Sequence, residues 1–449
     1  MPPATPPATP SATKAANPSL ADHPLRYALA NELHARPAPV IAVPGTAVFV
    51  ALKPVDDAAA RERGTDRAHL LALLERHGAV HPPPGATHHG CALGRHGLKW
   101  ENHTEFTTYT AFAEGLPAHP FDPAAFGVFP ADWLAAAPGV RITSIHLHVE
   151  HLPMQDADSV DAAGVAQRLG AWFVAESLAC AWVLDGAAIV ASDFRIDPAG
   201  HVRMAVFVHP DTGPQRVGRI VQRLCEIETY KSMSMLGLAR ARKVSDAIAG
   251  LDRRLTELVG DMAAGLPRAE EALGALMGVS AELERMEVAA SFRFGATRAY
   301  EALVHSRIQV LREARFQGRQ SLGEFMQRRF DPAMRTVKAA EGRLATLSER
   351  AMRAGRLLST QVEVARSAQN QALLQSMDRR AALQLRLQHT VEGLSVVAIS
   401  YYAVGLAGNM VLPLAEHAGL GRTAMLAMLT PLVIGLVWLA VRAIRRRLG

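Results

Sequence analysis

The chain has few cysteines, and they are far apart. Of its 449 residues only 3 are cysteines, and Cys91, Cys180 and Cys225 form no CxxC pair. This wide spacing argues against a disulfide framework and against a structural zinc site. Such usage is typical of a protein kept in a reducing compartment.

Short sequence signatures of enzymes are also missing. The sequence contains no P-loop, no GxGxxG after a predicted strand, no GxSxG and no HExxH. The net charge of +6 is modest, and no basic block is interleaved with aromatic residues, so nucleic-acid binding has no support. Residues 1–22 are rich in Pro, Ala and Thr and lack the apolar core of a secretory signal, which predicts a disordered leader.

Two apolar stretches lie close together near the C-terminus, at about residues 393–414 and 424–444. Each holds roughly 20 residues, the length that crosses roughly 30 Å of hydrocarbon as a helix. Arginines flank both outer sides, at Arg379, Arg380, Arg386, Arg442, Arg445, Arg446 and Arg447. The positive-inside rule then places both outer ends in the cytoplasm. The alternative is a buried helical hairpin in a large soluble core.

Residues 23–210 have the mixed pattern of an α/β head. Alternation over Leu98–Phe112 and over Arg141–His151 indicates half-buried strands. The other predicted elements are a strand at Thr46–Leu52, helices at Asp66–Gly78 and Val160–Ala181, and a hairpin of Ile189–Ile196 with Val202–Val208.

Residues 211–392 predict a helical stalk. A short heptad pattern runs from Val244 to Met262, and heptad spacing returns at Leu344, Leu347, Ala351, Ala354 and Leu358. The stretch from Ala333 to Thr390 has no proline, which predicts one long helix entering the first apolar stretch. We expect the stalk to make homo-oligomers. The predicted fold class is therefore an α+β cytoplasmic head, a long α-helical or coiled-coil stalk and a C-terminal two-helix transmembrane hairpin, residues 393–449.

The richest set of polar side chains lies on two predicted strands. Alternation places Glu101, His103 and Glu105 on one face of the first strand, and His146, His148 and Glu150 on one face of the second. If the strands are neighbours, these imidazoles and carboxylates would suit a divalent metal or acid–base chemistry. The alternative is a solvated polar face of an antiparallel sheet.

Near the far end of the first apolar stretch, Gly408 and Asn409 are candidates for helix packing or for lining a pore. A small residue lets helices approach closely, and a buried asparagine can bridge helices by a hydrogen bond. The packing role is the commoner of the two.

Three segments resemble a bacterial family known as domain of unknown function 3422, which is described as predicted membrane-anchored proteins. They are Glu32–Pro37, Leu98–Tyr109 and Thr390–Ser395. The resemblance implies a membrane anchor, and hence the bacterial inner membrane, but no catalytic residues. The layout is also similar to that of the CorA-type magnesium channels, whose filter is Gly-Met-Asn, whereas this chain has Gly408-Asn409-Met410.

Three functions follow as hypotheses. The first is a membrane-anchored cytoplasmic protein that self-associates and whose head binds a partner or a small ligand. The second is a CorA-like divalent-cation channel, and the third is a metal-dependent enzyme that uses the two His/Glu faces. The lipid bilayer and further copies of the chain are the expected partners.

Overall fold

The structure is a computed structural model that describes residues 22–32, 37–55, 61–156, 159–260, 266–417 and 421–448. The predicted leader lies outside these ranges, apart from its last residue. The first described helix is α1 (Arg26–Glu32), and residues 33–36 of the Glu32–Pro37 segment also lie outside the described ranges. The described residues form two compact units, one with residues up to 254 and 279–350, the other with residues 255–278 and those from 351 onward.

The first unit contains a nine-stranded sheet with the order β2-β3-β4-β1-β5-β8-β7-β6-β9. Neighbouring strands are antiparallel except for β5 and β8, which are parallel. The strands are β1 (Gly45–Lys53), β2 (His88–Leu93), β3 (His96–Asn102), β4 (Thr107–Glu114), β5 (Val140–His151), β6 (Ala179–Val183), β7 (Ala188–Ile196), β8 (Val202–Val208) and β9 (Ala314–Arg315).

Helices cover both faces of this sheet. One face packs against α2 (Arg63–Arg76), a 3-10 helix (Pro123–Val128), α3 (Ala131–Ala135) and α4 (Ala162–Trp172). The other face packs against α5 (Pro214–Gly260). Strand β1 lies between β4 and β5, and all nine of its residues are buried, as is usual for a strand that is covered on both faces.

Several predicted elements are confirmed. The strand at Thr46–Leu52 lies within β1, the helix at Asp66–Gly78 corresponds to α2, and the predicted hairpin is the antiparallel pair β7–β8. The predicted helix at Val160–Ala181 is too long, because α4 ends at Trp172 and the next apolar run enters the sheet as β6.

The predicted single strand at Leu98–Phe112 is wrong, since it is a hairpin of β3 and β4. The chain reverses over residues 103–106, where the His103 amide donates to the Phe106 carbonyl at 2.9 Å. This turn has neither glycine nor proline, and so alternation continues through it in the sequence.

The remaining helices are α6 (Leu266–Leu311), α7 (Leu322–Arg329), α8 (Asp331–His417) and α9 (Arg422–Leu448). The predicted continuous helix from Ala333 to Thr390 is part of α8, which runs 87 residues. The five heptad positions from Leu344 to Leu358 are all buried. Ion pairs between Arg298 and Glu341 and between Lys338 and Glu301 join α6 to α8 in antiparallel order within the first unit.

The second unit contains the most apolar helical segments of the described chain. By length and composition, α8 as far as Leu414 and α9 over Arg422–Ile444 are each able to cross a membrane. Most residues of these segments are exposed, so the chain itself does not bury them as the core of a soluble protein would.

Candidate functional site

The hairpin β3–β4 places two charged and two hydroxyl side chains on one face of the sheet. Lys99 lies opposite Thr110, and Glu101 lies opposite Thr108. Side chains of directly opposite residues point to the same face. These four residues line a cavity that is completed by α5 and α6 within the first unit.

The cavity has a volume of about 240 Å³. Its lining residues are Pro39, Phe49, Lys99, Glu101, His103, Phe106, Thr108, Thr110, Val221, Gln222, Arg223, Cys225, Glu226, Thr229, Tyr230 and Arg307. Gly218 of α5 lets the chain approach closely on the Pro39 side, because a Cβ atom there would overlap the Pro39 carbonyl oxygen. Glycine at this position therefore brings Pro39 against the helix.

The Glu226 carboxylate holds the two arginines that line the cavity, Arg223 and Arg307. Its Oε2 atom accepts from Arg223 Nη1 at 2.7 Å and from Arg307 Nε, while its Oε1 atom accepts from Gln222 Nε2 at 2.8 Å. Arg307 belongs to α6 and the other three residues to α5. Because three donors already satisfy this carboxylate, it holds both guanidinium groups in place and has little capacity for a further ligand.

Lys99 and Gln222 have unused hydrogen-bonding capacity. The Lys99 side chain is 10% exposed, and its Nζ atom lies 3.2 Å from Glu101 Oε1 as an ion pair. Apart from this ion pair, the buried ammonium has no hydrogen-bond acceptor within the described part of the chain, and Gln222 Oε1 has no donor. A buried polar atom without a partner is costly, so both atoms favour a bound group that completes them.

The side chains that line the cavity carry a net charge of one positive unit. The three cations are Lys99, Arg223 and Arg307, and the two anions are Glu101 and Glu226. The cavity also contains the thiol of Cys225, but burial raises its pKa, so the thiol stays protonated and is not activated as a nucleophile. The arrangement is suited to holding an anion.

Glu105 lies beside this cavity and joins the hairpin to α6. Its side chain is 3% exposed, Arg293 Nη2 donates to Oε2, and the Tyr300 hydroxyl donates to Oε1 at 3.0 Å. Burial and the neighbouring carboxylate raise the pKa of Tyr300, which keeps this hydroxyl a donor. The Tyr300 ring stacks on Tyr230 at 5.8 Å between centroids, and Tyr230 is part of the cavity lining.

The turn that carries Glu105 is held by a distant arginine. Arg61 donates to the carbonyl oxygens of His103 and Phe106 and to Asn102 Oδ1. Its own charge is balanced by Asp66, at 3.4 Å. These bonds fix the reversal of the chain, so Glu101, His103 and Glu105 are not three positions of one strand face as predicted.

The second predicted set, His146, His148 and Glu150, lies elsewhere. Strands β3 and β5 are separated by β4 and β1. The pairing of β4 with β1 and of β1 with β5 also puts His146 on the sheet face opposite to Glu101. The two sets therefore do not converge, because strand order rather than alternation decides which side chains meet.

His146 and His148 are 1% and 4% exposed, so the alternative of a solvated polar face is also wrong. Glu150 forms an ion pair with Arg168 at 2.6 Å, and its other carboxylate oxygen lies 3.6 Å from His148 Nε2. Among the described residues, no group of three or more His, Cys, Asp or Glu side chains is arranged to hold a metal ion. The predicted divalent-metal centre is therefore not formed by these six residues.

Gly408 and Asn409 differ in their surroundings within the second unit. Gly408 is buried, and a Cβ atom on it would lie 3.0 Å from Leu426 Cδ2 of α9. Asn409 is exposed. The close approach of α8 and α9 at Gly408 agrees with a packing role for this glycine.

Comparison with known proteins finds a family to which nearly the whole chain is similar. A family model described as Protein of unknown function (DUF3422) covers residues 21–448, nearly the whole chain. No curated protein and no solved structure matches the chain. The similarity to CorA-type channels receives no support from these comparisons.

Proposed function

Since the chain belongs to a family of unknown function, DUF3422, we propose from its geometry that it is a membrane-anchored binding protein. Its head binds a small organic anion in the cavity formed by β3, β4, α5 and α6. The observation that carries this proposal is the buried Lys99 ammonium, which among the described residues has no hydrogen-bond acceptor beyond its ion pair with Glu101, in a cavity with one excess positive charge.

The unused atoms define the chemistry of the ligand. Lys99 Nζ requires an acceptor such as a carboxylate oxygen, and Gln222 Oε1 requires a donor such as a hydroxyl or an ammonium group. The hydroxyls of Thr108, Thr110 and Thr229 offer further polar contacts. A small acid with a hydroxyl or amino substituent and an overall negative charge meets all these requirements.

We expect malate and aspartate to stabilise the full-length protein more than succinate, which lacks the donor group. The diamine 1,4-diaminobutane, of similar length, is expected to have no effect, because the cavity has excess positive charge. A ligand present at 100 times its Kd raises the free energy of unfolding by about 2.7 kcal/mol. Urea unfolding in mild detergent, followed by tryptophan fluorescence with each compound, measures this difference.

Lys99→Met keeps most of the side-chain length and removes the ammonium, so it is expected to abolish stabilisation by the two substituted acids. Lys338→Met is the matched control, since the Lys338 side chain is 53% exposed on α8. Equal stabilisation of both variants by malate would exclude the cavity as its binding site. A larger effect of the diamine than of the acids would refute the anion proposal.

The membrane part of the proposal rests on α8 and α9, whose apolar segments are long enough to span a bilayer. Arginines outside both segments favour a topology with the head and the C-terminus in the cytoplasm of a bacterium. We expect the full chain to float with liposomes in a density gradient and a chain ending at Glu392 to stay in the soluble fraction. Flotation of the shortened chain would contradict the anchor assignment.

We also propose that the chain self-associates through its long helices. Over residues 366–390 every position of α8 is exposed, including the apolar Leu373, Leu374 and Met377. Apolar side chains on an isolated helix favour contact with another helix. Light scattering of the full chain in mild detergent measures the number of subunits, and a monomer would exclude this part of the proposal.

A further inference from the structure

A second cavity lies in the first unit, on the α5 face of the sheet, beside strands β5, β7 and β8 and the end of α7 with the following Phe330. Its volume is about 540 Å³, within the range of roughly 300–1,000 Å³ that is typical of ligand sites. Apolar side chains dominate its walls, among them Phe194, Met235, Phe325 and Phe330. None of its lining residues belongs to the anion cavity described above.

The position of Phe194 depends on an irregular strand. The pairing of β7 with β8 shifts register between Ser192 and Ile196. In this bulge Phe194 has a φ of 53°, a conformation that is rare for a bulky residue. Its amide donates to Ser192 Oγ at 3.0 Å, and Asp193 accepts from the Arg195 amide at 3.1 Å. The surrounding hydrogen bonds thus hold an unfavourable backbone conformation.

The bulge turns the Phe194 ring into the wall of the cavity. This ring stacks on Phe325 at 4.5 Å between centroids, and Lys231 Nζ lies 5.1 Å from its centre. Local strain of this kind is found where the surrounding structure requires a side chain in one place, often at functional sites. The apolar wall is therefore built by a specific distortion and not by an ordinary strand.

Charged groups of this cavity are divided between an inner pair and an outer pair. Glu228 is 2% exposed, and its carboxylate lies 2.8 Å from Lys231 Nζ and accepts from Ser232 at 3.2 Å. The inner charges therefore neutralise each other. Arg141 and Arg329 also line the cavity, and both are exposed.

The two outer arginines are positioned by packing. Arg329 lies over the Phe325 ring, with its guanidinium carbon 5.6 Å from the ring centre. The Arg141 guanidinium lies against Gly200, where a Cβ atom would overlap it. Gly200 also has a φ of 90°, which favours glycine on its own. The cavity thus combines an apolar interior with two cations that water can reach.

We propose that this cavity binds a single-chain amphipathic carboxylate. Its hydrocarbon chain lies between Phe194, Met235 and Phe330, and its carboxylate lies toward Arg141 and Arg329. Arginine is well suited to this role because its planar guanidinium group donates two parallel hydrogen bonds to a carboxylate. The site is independent of the anion cavity.

The test uses the full-length protein in lipid nanodiscs, with octanoate as the probe and empty nanodiscs to subtract partition into lipid. Octan-1-ol and octylammonium have the same chain with a neutral or a cationic head. Equilibrium dialysis is expected to show saturable binding of octanoate that octylammonium does not displace. Displacement of octanoate by equal concentrations of octylammonium would overturn the proposal.

Ile196 provides a matched pair of variants, because its side chain lines this cavity and is 73% exposed, so either charge is tolerated there. Octanoate is expected to bind about tenfold more weakly to Ile196→Glu than to Ile196→Lys, since the two differ by two units of charge beside the arginines. The Lys99→Met protein is expected to bind octanoate like the unaltered chain. Equal affinity of both Ile196 variants would refute the proposed position of the carboxylate.

Discussion

Replacing Glu105 by leucine is expected to lower the free energy of unfolding of the head by about 3–5 kcal/mol, the usual effect of removing one partner of a buried ion pair. The Arg293 side chain is only 16% exposed, so its charge would remain in a poorly hydrated position without its carboxylate. The Tyr300 hydroxyl would lose its acceptor as well. Urea unfolding of the full chain, followed by tryptophan fluorescence, measures the change.

Glu341→Leu is the matched control for this substitution. Glu341 also pairs with an arginine of α6, Arg298, but these side chains are 33% and 52% exposed. Exposed pairs contribute about 0–1 kcal/mol, so the control is expected to change stability by less than about 1 kcal/mol.

Adding Arg293→Met to Glu105→Leu should restore part of the loss, because the unpaired charge is then also removed. A Glu105→Leu protein as stable as the control would show that Arg293 finds sufficient water in the folded head.

The prediction for Glu105 also illustrates which part of the site the sequence could reveal. Glu101, His103 and Glu105 attract attention as charged residues within an alternating pattern, and Glu101 and His103 do line the cavity. Arg307 follows about two hundred residues later on a helix whose periodicity indicates only packing. No local sequence pattern connects Arg307 with Glu101 and His103, because their proximity depends on how α5 and α6 pack against the sheet.

The same distinction applies to the fold. Strand β1 and the β7–β8 hairpin are encoded by neighbouring residues, a β-prone run and a turn at Asp197–Gly200. The reversal between β3 and β4 depends instead on Arg61, which lies about forty residues earlier in the chain. The alternating pattern gives no sign of this contact. Local elements, including the β7–β8 pair, were therefore predictable, whereas the order of the remaining strands in the sheet was not.

Lowering the pH from 7 to about 4 is expected to destabilise the head by about 3 kcal/mol through His146 alone. The pKa of His146 is lowered from the ordinary value of 6.5 to about 4, mainly by burial and in addition by the nearby His201 and His148, while Asp197 and Asp122 oppose the shift. The imidazole is 1% exposed and lies between the rings of Phe121 and Phe126. As the pH falls, His146 is therefore protonated in the unfolded chain at a higher pH than in the folded one.

The direction of this effect follows from linkage. Between about pH 6.5 and pH 4 the unfolded state carries more protons at His146, so stability falls as the pH falls. Above that window both states are neutral at this site, and below it both are charged, so the contribution is constant at either end. Each pKa unit corresponds to about 1.4 kcal/mol, which gives the expected total.

His146→Gln keeps a neutral polar side chain and removes the titration, so its stability is expected to fall less steeply across this window than that of the unaltered protein. His119→Gln serves as the control, because His119 is exposed in the loop before the 3-10 helix and its removal should leave the slope unchanged. Urea unfolding at intervals from pH 7 to pH 4 compares the three proteins. Parallel curves for all three would mean that His146 becomes protonated without disturbing the packing of Phe121 and Phe126, so that its burial does not determine the acid stability of the head.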